Sequence, residues 1–531
     1  MSTSSRRAFL RQAAAYSALG AAGPIGLNLA AMSQASAAGT AGDDYKALVC
    51  LFLYGGNDTF NTVLATDTES WTHYVNHRNP RSRNASDTST SIALLAPGTA
   101  PTVGAAAGSP EALGGVRAIA HSGRAAHADR QFALHPSLAG AQGLYQAGRL
   151  AVLANVGPLT RPLSKADYSD ARVVKPAKLF SHNDQQSTWQ SFAPEGASAG
   201  WGGRMGDLLM SQNGPGAQSP DQLLVQRSFT CITPTSAAIW LTGQSVLQYQ
   251  VNSTGPTGLG SGGKIFRDAG LLNAVASVMN PTAPPNLLAQ AQQELVDRAL
   301  RASALLSSKL PASGVLPWGT TGVTNPYADD RLKYTSPLDG TLKFNSTALQ
   351  LQMVARLIDA NRAGGLNMKR QVFMVSLGGF DTHDNQNQSH AERMAQLDHA
   401  LAYFDTVLGS MPGGDLRHQV TTFTGSDFGR TFTNNGDGTD HGWGAHHVIM
   451  GGAVQGGEVY GTFPRFSTAD AKGVFSSPDQ LNNGVLLPTT SVDQLAYTLG
   501  RWMGVSEGNL KDILPNLGRF DSAVHNLGFM G

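Results

Sequence analysis

Charge is scarce in this chain. Lys, Arg, Asp and Glu make up 14% of its 531 residues and nearly cancel, leaving a formal net charge of +1, where an ordinary globular chain carries about 25% charged residues. With no basic excess to neutralise a phosphate backbone or an anionic bilayer, nucleic acid is not an expected partner. Cysteine is scarcer still: only Cys50 and Cys231 are present, which leaves a disulfide scaffold or a thiolate-ligated redox cluster without support. Cys50 lies inside the apolar run Leu48 to Leu53 and reads as a buried strand thiol, a bridge to Cys231 being the alternative. No apolar run reaches the ~20 strongly hydrophobic residues that hold a helix in a bilayer. The weakly apolar stretch from Ala13 to Ala31 is broken by Gly20, Gly23 and Pro24, so stable membrane insertion is not expected. No Gly-x-Gly-x-x-Gly follows a strand-like run, and a Gly-x-x-x-x-Gly-Lys spacing between Gly255 and Lys264 has Ile265 in place of the required Ser or Thr. Nicotinamide, flavin and nucleotide-phosphate loops are therefore unsupported.

What the chain does have begins at its first residues. Ser5-Arg6-Arg7-Ala8-Phe9-Leu10 sets two arginines ahead of the weakly apolar stretch, and Ala35-Ser36-Ala37 supplies the small residues of a peptidase site. The order is that of a twin-arginine signal over residues 1–37, cleaved after Ala37. It implies the twin-arginine export machinery as a partner, and a protein exported in a folded state to the periplasm or the medium. The remainder, 44–531, is expected to be one domain. Loop-rich insertions or a cap are expected near 69–130 and 206–337, where Ser, Thr, Pro, Gly and Ala dominate.

Four segments share one pattern, an apolar run followed by glycine and then by a carboxylate or imidazole: Leu48 to Asp58, Val372 to His383, Val420 to Asp427, and His446 to Gly452 with His441 just ahead. These runs do not alternate with polar residues, so they fit strands covered on both faces, as in parallel sheets. Between them, Leu287 to Leu310, Ala348 to Ala363 and His390 to Met411 have helical periodicity. The alternation predicts an α/β domain with a doubly wound, mostly parallel sheet flanked by helices. In such sheets functional groups gather outside the carboxyl ends of the strands.

Asp58 follows Gly55-Gly56-Asn57 and would stand free at a strand end, as a cation ligand or as the cap of the next turn. Asp381 and His383 sit two residues apart in Gly379-Phe380-Asp381-Thr382-His383, a pairing of carboxylate and imidazole that suits zinc, manganese, iron or cobalt better than calcium. Asp427 is followed by Arg430, which could clamp an oxyanion or pair with a carboxylate. His441 stands in a glycine-flanked turn, with Asp440 able to orient an imidazole. Of the adjacent His446 and His447, at most one should reach a shared site, because neighbours on a strand face opposite sides.

The leader, Leu53-Tyr54-Gly55-Gly56-Asn57-Asp58, Phe132-Ala133-Leu134-His135-Pro136, Gly379-Phe380-Asp381-Thr382-His383, Asp427-Phe428-Gly429-Arg430-Thr431 and Asp440-His441-Gly442 together resemble the exported bacterial family known as domain of unknown function 1501. The resemblance spans nearly the whole chain beyond the leader. That family is similar in turn to the alkaline phosphatase-like superfamily of phosphatases, sulfatases and phosphomutases, whose α/β core holds one or two metals through Asp and His at strand ends. The resemblance implies Asp58, Asp381, His383, Asp427 and His441 as ligands of one or two divalent ions, zinc or manganese. It also implies a nucleophile at a turn opening a helix, for which Ser181 in Phe180-Ser181-His182-Asn183-Asp184-Gln185-Gln186 is the counterpart, with helix capping as the competing role. Phe428 departs from the superfamily, which often has His there, and puts a second metal in doubt. The implied activity is metal-dependent hydrolysis of a phosphate or sulfate ester, small-molecule or polymeric, with Arg430 on the oxyanion. The competing class is a non-catalytic exported binding or scaffold protein that keeps the fold.

Overall fold

The computed structural model describes residues 45–213, 219–256, 286–362 and 366–531, with a few positions between 270 and 277. The signal reading, over 1–37, and most of the Gly-rich spacing ending at Lys264 lie outside the described residues. Nine strands form the main sheet: β1 (Lys46–Tyr54), β2 (Leu150–Gly157), β3 (Cys231–Thr233), β4 (Tyr249–Gln250), β5 (Arg370–Gly378), β6 (Val420–Ser426), β7 (Ala445–Met450), β8 (Val459–Tyr460) and β9 (Thr490–Ser491). Their spatial order is β8-β2-β7-β6-β1-β5-β3-β4, with β9 pairing on β2. All pairings are parallel except those that β7 makes with β6 and β2. The sheet is thus mostly parallel, and a single strand runs against the rest.

Burial explains why β1 has no polar alternation. Its residues Ala47, Val49, Leu51 and Leu53 pack into one apolar core, and Leu48, Cys50 and Phe52 into another on the opposite face. The helices that cover the sheet divide the same way. Among them are α1 (Thr59–Thr62), α2 (Thr68–Arg78), α3 (His182–Ser191), α4 (Trp201–Leu209), α5 (Leu287–Lys309), α6 (Ser346–Arg362), α7 (Gln386–Leu408) and α8 (Val492–Met503). Side chains of α6 and α7 join the first core, those of α4 and α8 the second. Each fully buried Leu or Phe in these layers contributes about 1.5–3 kcal/mol, and this two-sided burial makes a long apolar strand stable in the middle of the sheet. Both cysteines are buried and free, Cys50 in β1 and Cys231 in β3. No helix of the described residues is long and apolar enough to cross a membrane.

The interval 206–337 is more than an insertion, because β3 and β4 within it extend the main sheet beyond β5. Strands of two or three residues carry too little pattern to be read from sequence. The interval 69–130 contributes no strand to the main sheet. It is loop-rich, and its strand Arg117–Ile119 pairs with Phe132–Leu134, which also pairs with Val63–Ala65, in a small antiparallel sheet.

The end of β1 is shaped by two glycines. Gly55, at φ +114°, lies so close to the chain leaving β5 that an added Cβ would come within 2.4 Å of the Asp381 nitrogen, and at Gly56, φ +84°, it would strike the Phe428 ring at 2.4 Å. No L side chain fits either position without moving its neighbours. Gly55→Ala is expected to destabilise the fold by about 2 kcal/mol or more, from backbone strain plus the clash. A lowered urea midpoint at unchanged slope is the expected readout.

Candidate functional site

Strand direction brings the candidate residues to one edge. β1, β5 and β6 all end there, delivering Asp58, then Asp381 and His383, then Asp427. Because β7 runs antiparallel to β6, its beginning lies at that same edge, and His441, four residues before it, arrives beside the others. An isolated bridge between Arg430 and His441 closes the connection.

At the centre is Asp381, half exposed. His441 Nε2 lies 3.4 Å from its Oδ1, His383 Nε2 3.2 Å from the same oxygen, and His182 Nε2 3.4 Å from Oδ2. The Nε2 atoms of His383 and His441 are 2.9 Å apart. His182, Asp381 and His441 form a group whose ligand atoms all lie within 4.8 Å of one another, the spacing needed to share one ion. Two of the imidazoles have their tautomers fixed from behind. His182 Nδ1 donates to Asp427 Oδ2 at 2.7 Å, and His441 Nδ1 donates to the Phe180 carbonyl at 2.7 Å. Each leaves its Nε2 to point at the cluster, the arrangement that carboxylate or carbonyl support gives a metal-binding histidine. The hydrogen bond that His182 donates to Asp427, then the charge of that carboxylate, raises the pKa of His182 above the ordinary imidazole value despite opposing burial, whereas burial lowers that of His441.

Asp427 is fully buried and receives three donors on one oxygen: the Gly55 amide at 3.1 Å, His182 Nδ1, and Gln186 Nε2 at 2.8 Å. Its other oxygen, Oδ1, is buried and has no partner among the described residues. Arg430 is also fully buried. It donates from Nη1 to Asp381 Oδ1 at 2.9 Å and to the Gly55 carbonyl at 3.4 Å, and from Nη2 to the Thr439 carbonyl at 2.7 Å. Of the two roles open to it, pairing with a carboxylate is the one realised: the guanidinium is oriented by its protein acceptors rather than held free for an oxyanion. Burial acts to raise the Asp381 pKa, but Arg430 outweighs it, and the carboxyl stays below its ordinary range.

Asp58 is not in the cluster. It is fully buried, gripped by Arg78 from Nη1 at 2.5 Å and Nη2 at 2.9 Å, and it receives Gln386 Nε2 at 2.5 Å while its Oδ1 caps α1 through the Phe60 amide. A ligand role for Asp58 is therefore replaced by a structural ion pair. Its influence still reaches the site. Thr439 Oγ1 donates to Gln386 Oε1 at 2.6 Å and accepts from Arg430 Nε at 3.3 Å, so a chain of polar contacts runs from Asp58 to Asp381.

Ser181 holds the cap position of α3, but its hydroxyl donates to Asp184 Oδ2 at 2.9 Å and makes no bond to a helix amide. The turn before it is strained: Lys178 and Phe180 have φ of +50° and +72°, a conformation rare for large side chains, and it is the Phe180 carbonyl that holds His441. Phe428 packs its ring against His182 and His441, with centroids 4.8 and 4.6 Å away. Neither His446 nor His447 reaches the cluster. Burial pushes both down to about 3, and they bond within the sheet, His446 to the Asn155 amide and His447 to Thr424.

The family described as Protein of unknown function (DUF1501) matches the chain over residues 45–514. The chain belongs to the DUF1501 family. No curated protein matches it. The match includes every member of the cluster, so the DUF1501 region and the residues that build this edge coincide.

His182 is the member that sequence reading passed over. The signal was present, since it adjoins Ser181 in a polar helix start, but only the fold shows that α3 opens onto the ends of β5 and β6. Asp58→Ala is expected to destabilise the protein by about 3–5 kcal/mol, because it leaves the buried Arg78 guanidinium without its counter-charge. Chemical denaturation followed by fluorescence measures it, and a loss below about 1 kcal/mol would contradict the buried pairing.

Proposed function

We propose that this DUF1501 protein is an exported, metal-dependent hydrolase of phosphate or sulfate esters with a single-ion centre. The observation that carries the proposal is the convergence of three imidazole Nε2 atoms on Asp381 at 3.2–3.4 Å, two of them 2.9 Å from each other. Ligands around one tetrahedral ion at about 2.0 Å stand about 3.3 Å from one another. Imidazole nitrogens with lone pairs facing each other at such a distance repel unless a proton or cation lies between them, and the unpartnered Oδ1 of buried Asp427 is a second group that fits a cation. His182, Asp381, His383 and His441 would hold the ion, with Asp427 behind His182. Nitrogen with carboxylate oxygen suits zinc or manganese.

When bound, such an ion supplies Lewis acidity, stabilising the charge that develops on the ester oxygens and easing deprotonation of the nucleophile. The chain's own groups do the rest. Ser181, one residue before His182, is the nucleophile of this reading, its hydroxyl hydrogen directed onto Asp184. Asp381 is held ionised by Arg430, and Asp427 keeps His182 in the tautomer that turns Nε2 to the site. Kinship with the alkaline phosphatase-like superfamily rests on Asp381, His383, Asp427 and His441. It stops at Asp58, which is paired with Arg78, and at Phe428, which fills the place of an imidazole. Those two departures favour one ion over two. They also favour the second reading, an exported binding or scaffold protein that keeps the fold without turnover. The paired arginines at residues 6 and 7 support export.

Elemental analysis of the purified protein after supplementation should find about one divalent ion per chain. A panel of phosphomonoesters, phosphodiesters and sulfate esters should show turnover that a chelator removes. Metal without turnover selects the binding protein; neither metal nor turnover ends the hydrolase reading. Asp381→Ala is expected to abolish metal uptake. Asp427→Asn should weaken it by about 10–100-fold, since it disturbs only the support of His182.

A further inference from the structure

A groove of about 290 Å3 opens directly beside the cluster. It is lined by Tyr54, the last residue of β1, by Asn183, Gln186, Ser187 and Gln190 along one side of α3, and by Glu195 beyond it. Two residues of α3 connect it to the site: Gln186 of the lining donates to Asp427, and Asn183 follows His182 in sequence. Among the described residues no lysine, arginine or histidine lines this groove, and Glu195 gives it one negative charge. A ligand with a second phosphate, sulfate or carboxylate would therefore meet repulsion and no counter-charge.

What the lining offers is neutral hydrogen bonding in both directions. The Asn183 amide carries both donor and acceptor atoms, Gln186 has its Oε1 left to accept once Nε2 has gone to Asp427, and Ser187, whose hydroxyl donates to the Pro194 carbonyl at 3.0 Å, can still accept, a complement to a ligand rich in hydroxyl groups. Asn183 is an exposed residue of the lining. Gln190 is anchored, its Oε1 accepting from the Trp240 amide at 3.1 Å, and its side chain also bonds to the Tyr54 phenol. Burial pushes the Tyr54 pKa up to about 12, so the phenol stays neutral and keeps its proton for donation, beside a flat ring face. The size is at the small end of the ~300–1,000 Å3 of ligand pockets, room for one or two rings.

We propose that this groove binds a neutral, polyhydroxylated group, a saccharide unit, so that the ester presented to the cluster is a sugar monoester rather than a nucleotide or an aryl ester. The proposal rests on the hydrolase reading for the identity of the ester, and on the groove alone for the identity of the alcohol. Binding of the unesterified sugar separates the two.

The full chain is titrated with maltose, cellobiose, lactose and trehalose, none of them esterified, by saturation-transfer NMR and calorimetry. At least one is expected to saturate in the millimolar range. Asn183→Ala, which removes one or two neutral hydrogen bonds, should weaken it about threefold to tenfold. Ala237→Trp, which fills the groove from its exposed rim, should abolish it while metal content stays unchanged. In the ester panel, hexose phosphates or sulfates should be turned over at least about tenfold more efficiently, as kcat/KM, than nucleoside monophosphates and nitrophenyl esters, a difference of about 1.4 kcal/mol. Saturation by no disaccharide up to about 50 mM, weaker than any useful subsite, overturns the inference even if esters are hydrolysed. So does binding indifferent to both variants. Sugar binding without hydrolysis of any ester leaves the groove assignment standing and removes the hydrolase.

Discussion

A guanidinium withdrawn from water must find acceptors inside the protein, and Arg430 is fully withdrawn. Leaving such a charge unpaired would cost several kcal/mol. Its acceptors come from three separate parts of the chain: the Gly55 carbonyl after β1, Asp381 after β5, and Thr439 in the connection between β6 and β7. Satisfying one side chain thus fixes the relative positions of three loop ends. The cluster of imidazoles is assembled on that framework, and so is the orientation of the one carboxylate that all of them approach. Asp58 and Arg78 repeat the device one layer deeper, and Gln386 and Thr439 join the two layers.

Much of the fold was legible because the relevant signals are local. The apolar runs of β1, β5 and β6 lack alternation since both faces are covered, and their length marks them as central strands. The helices α5, α6 and α7 follow their apolar periodicity to within a few residues of their observed ends. β2 lacks the shared signature because its closing Gly157 is followed by Pro158 and Leu159 rather than by a carboxylate or imidazole, although it is buried throughout. The direction of β7 was not legible at all, since strand polarity within a sheet is decided by connections rather than by composition.

The site was legible in part for the same reason. Asp381, His383, Asp427 and His441 lie next to recognisable strand ends, and the structure gathers them. Asp58 has the same local signature, yet Arg78, twenty residues on, claims it; nothing in either segment announces the pairing, because it depends on where α2 packs. Arg430 could be seen as a site residue, but not which way it faces. His182 was hidden by the reverse effect, a polar helix start that reads as surface and becomes part of the site only when α3 docks against β6.

The backward course of β7 has a consequence for how such a site can change. The connection between β6 and β7 returns to the edge it left, so it is a hairpin-like excursion that carries Arg430 at one end and His441 at the other. Lengthening or shortening an excursion of that kind leaves the register of the strands untouched, whereas a change in a crossover between parallel strands would have to be accommodated by a whole helix layer. The chain thus carries an adjustable hinge in its chemistry and a rigid one in its architecture, and a new specificity could be reached by remodelling the former alone.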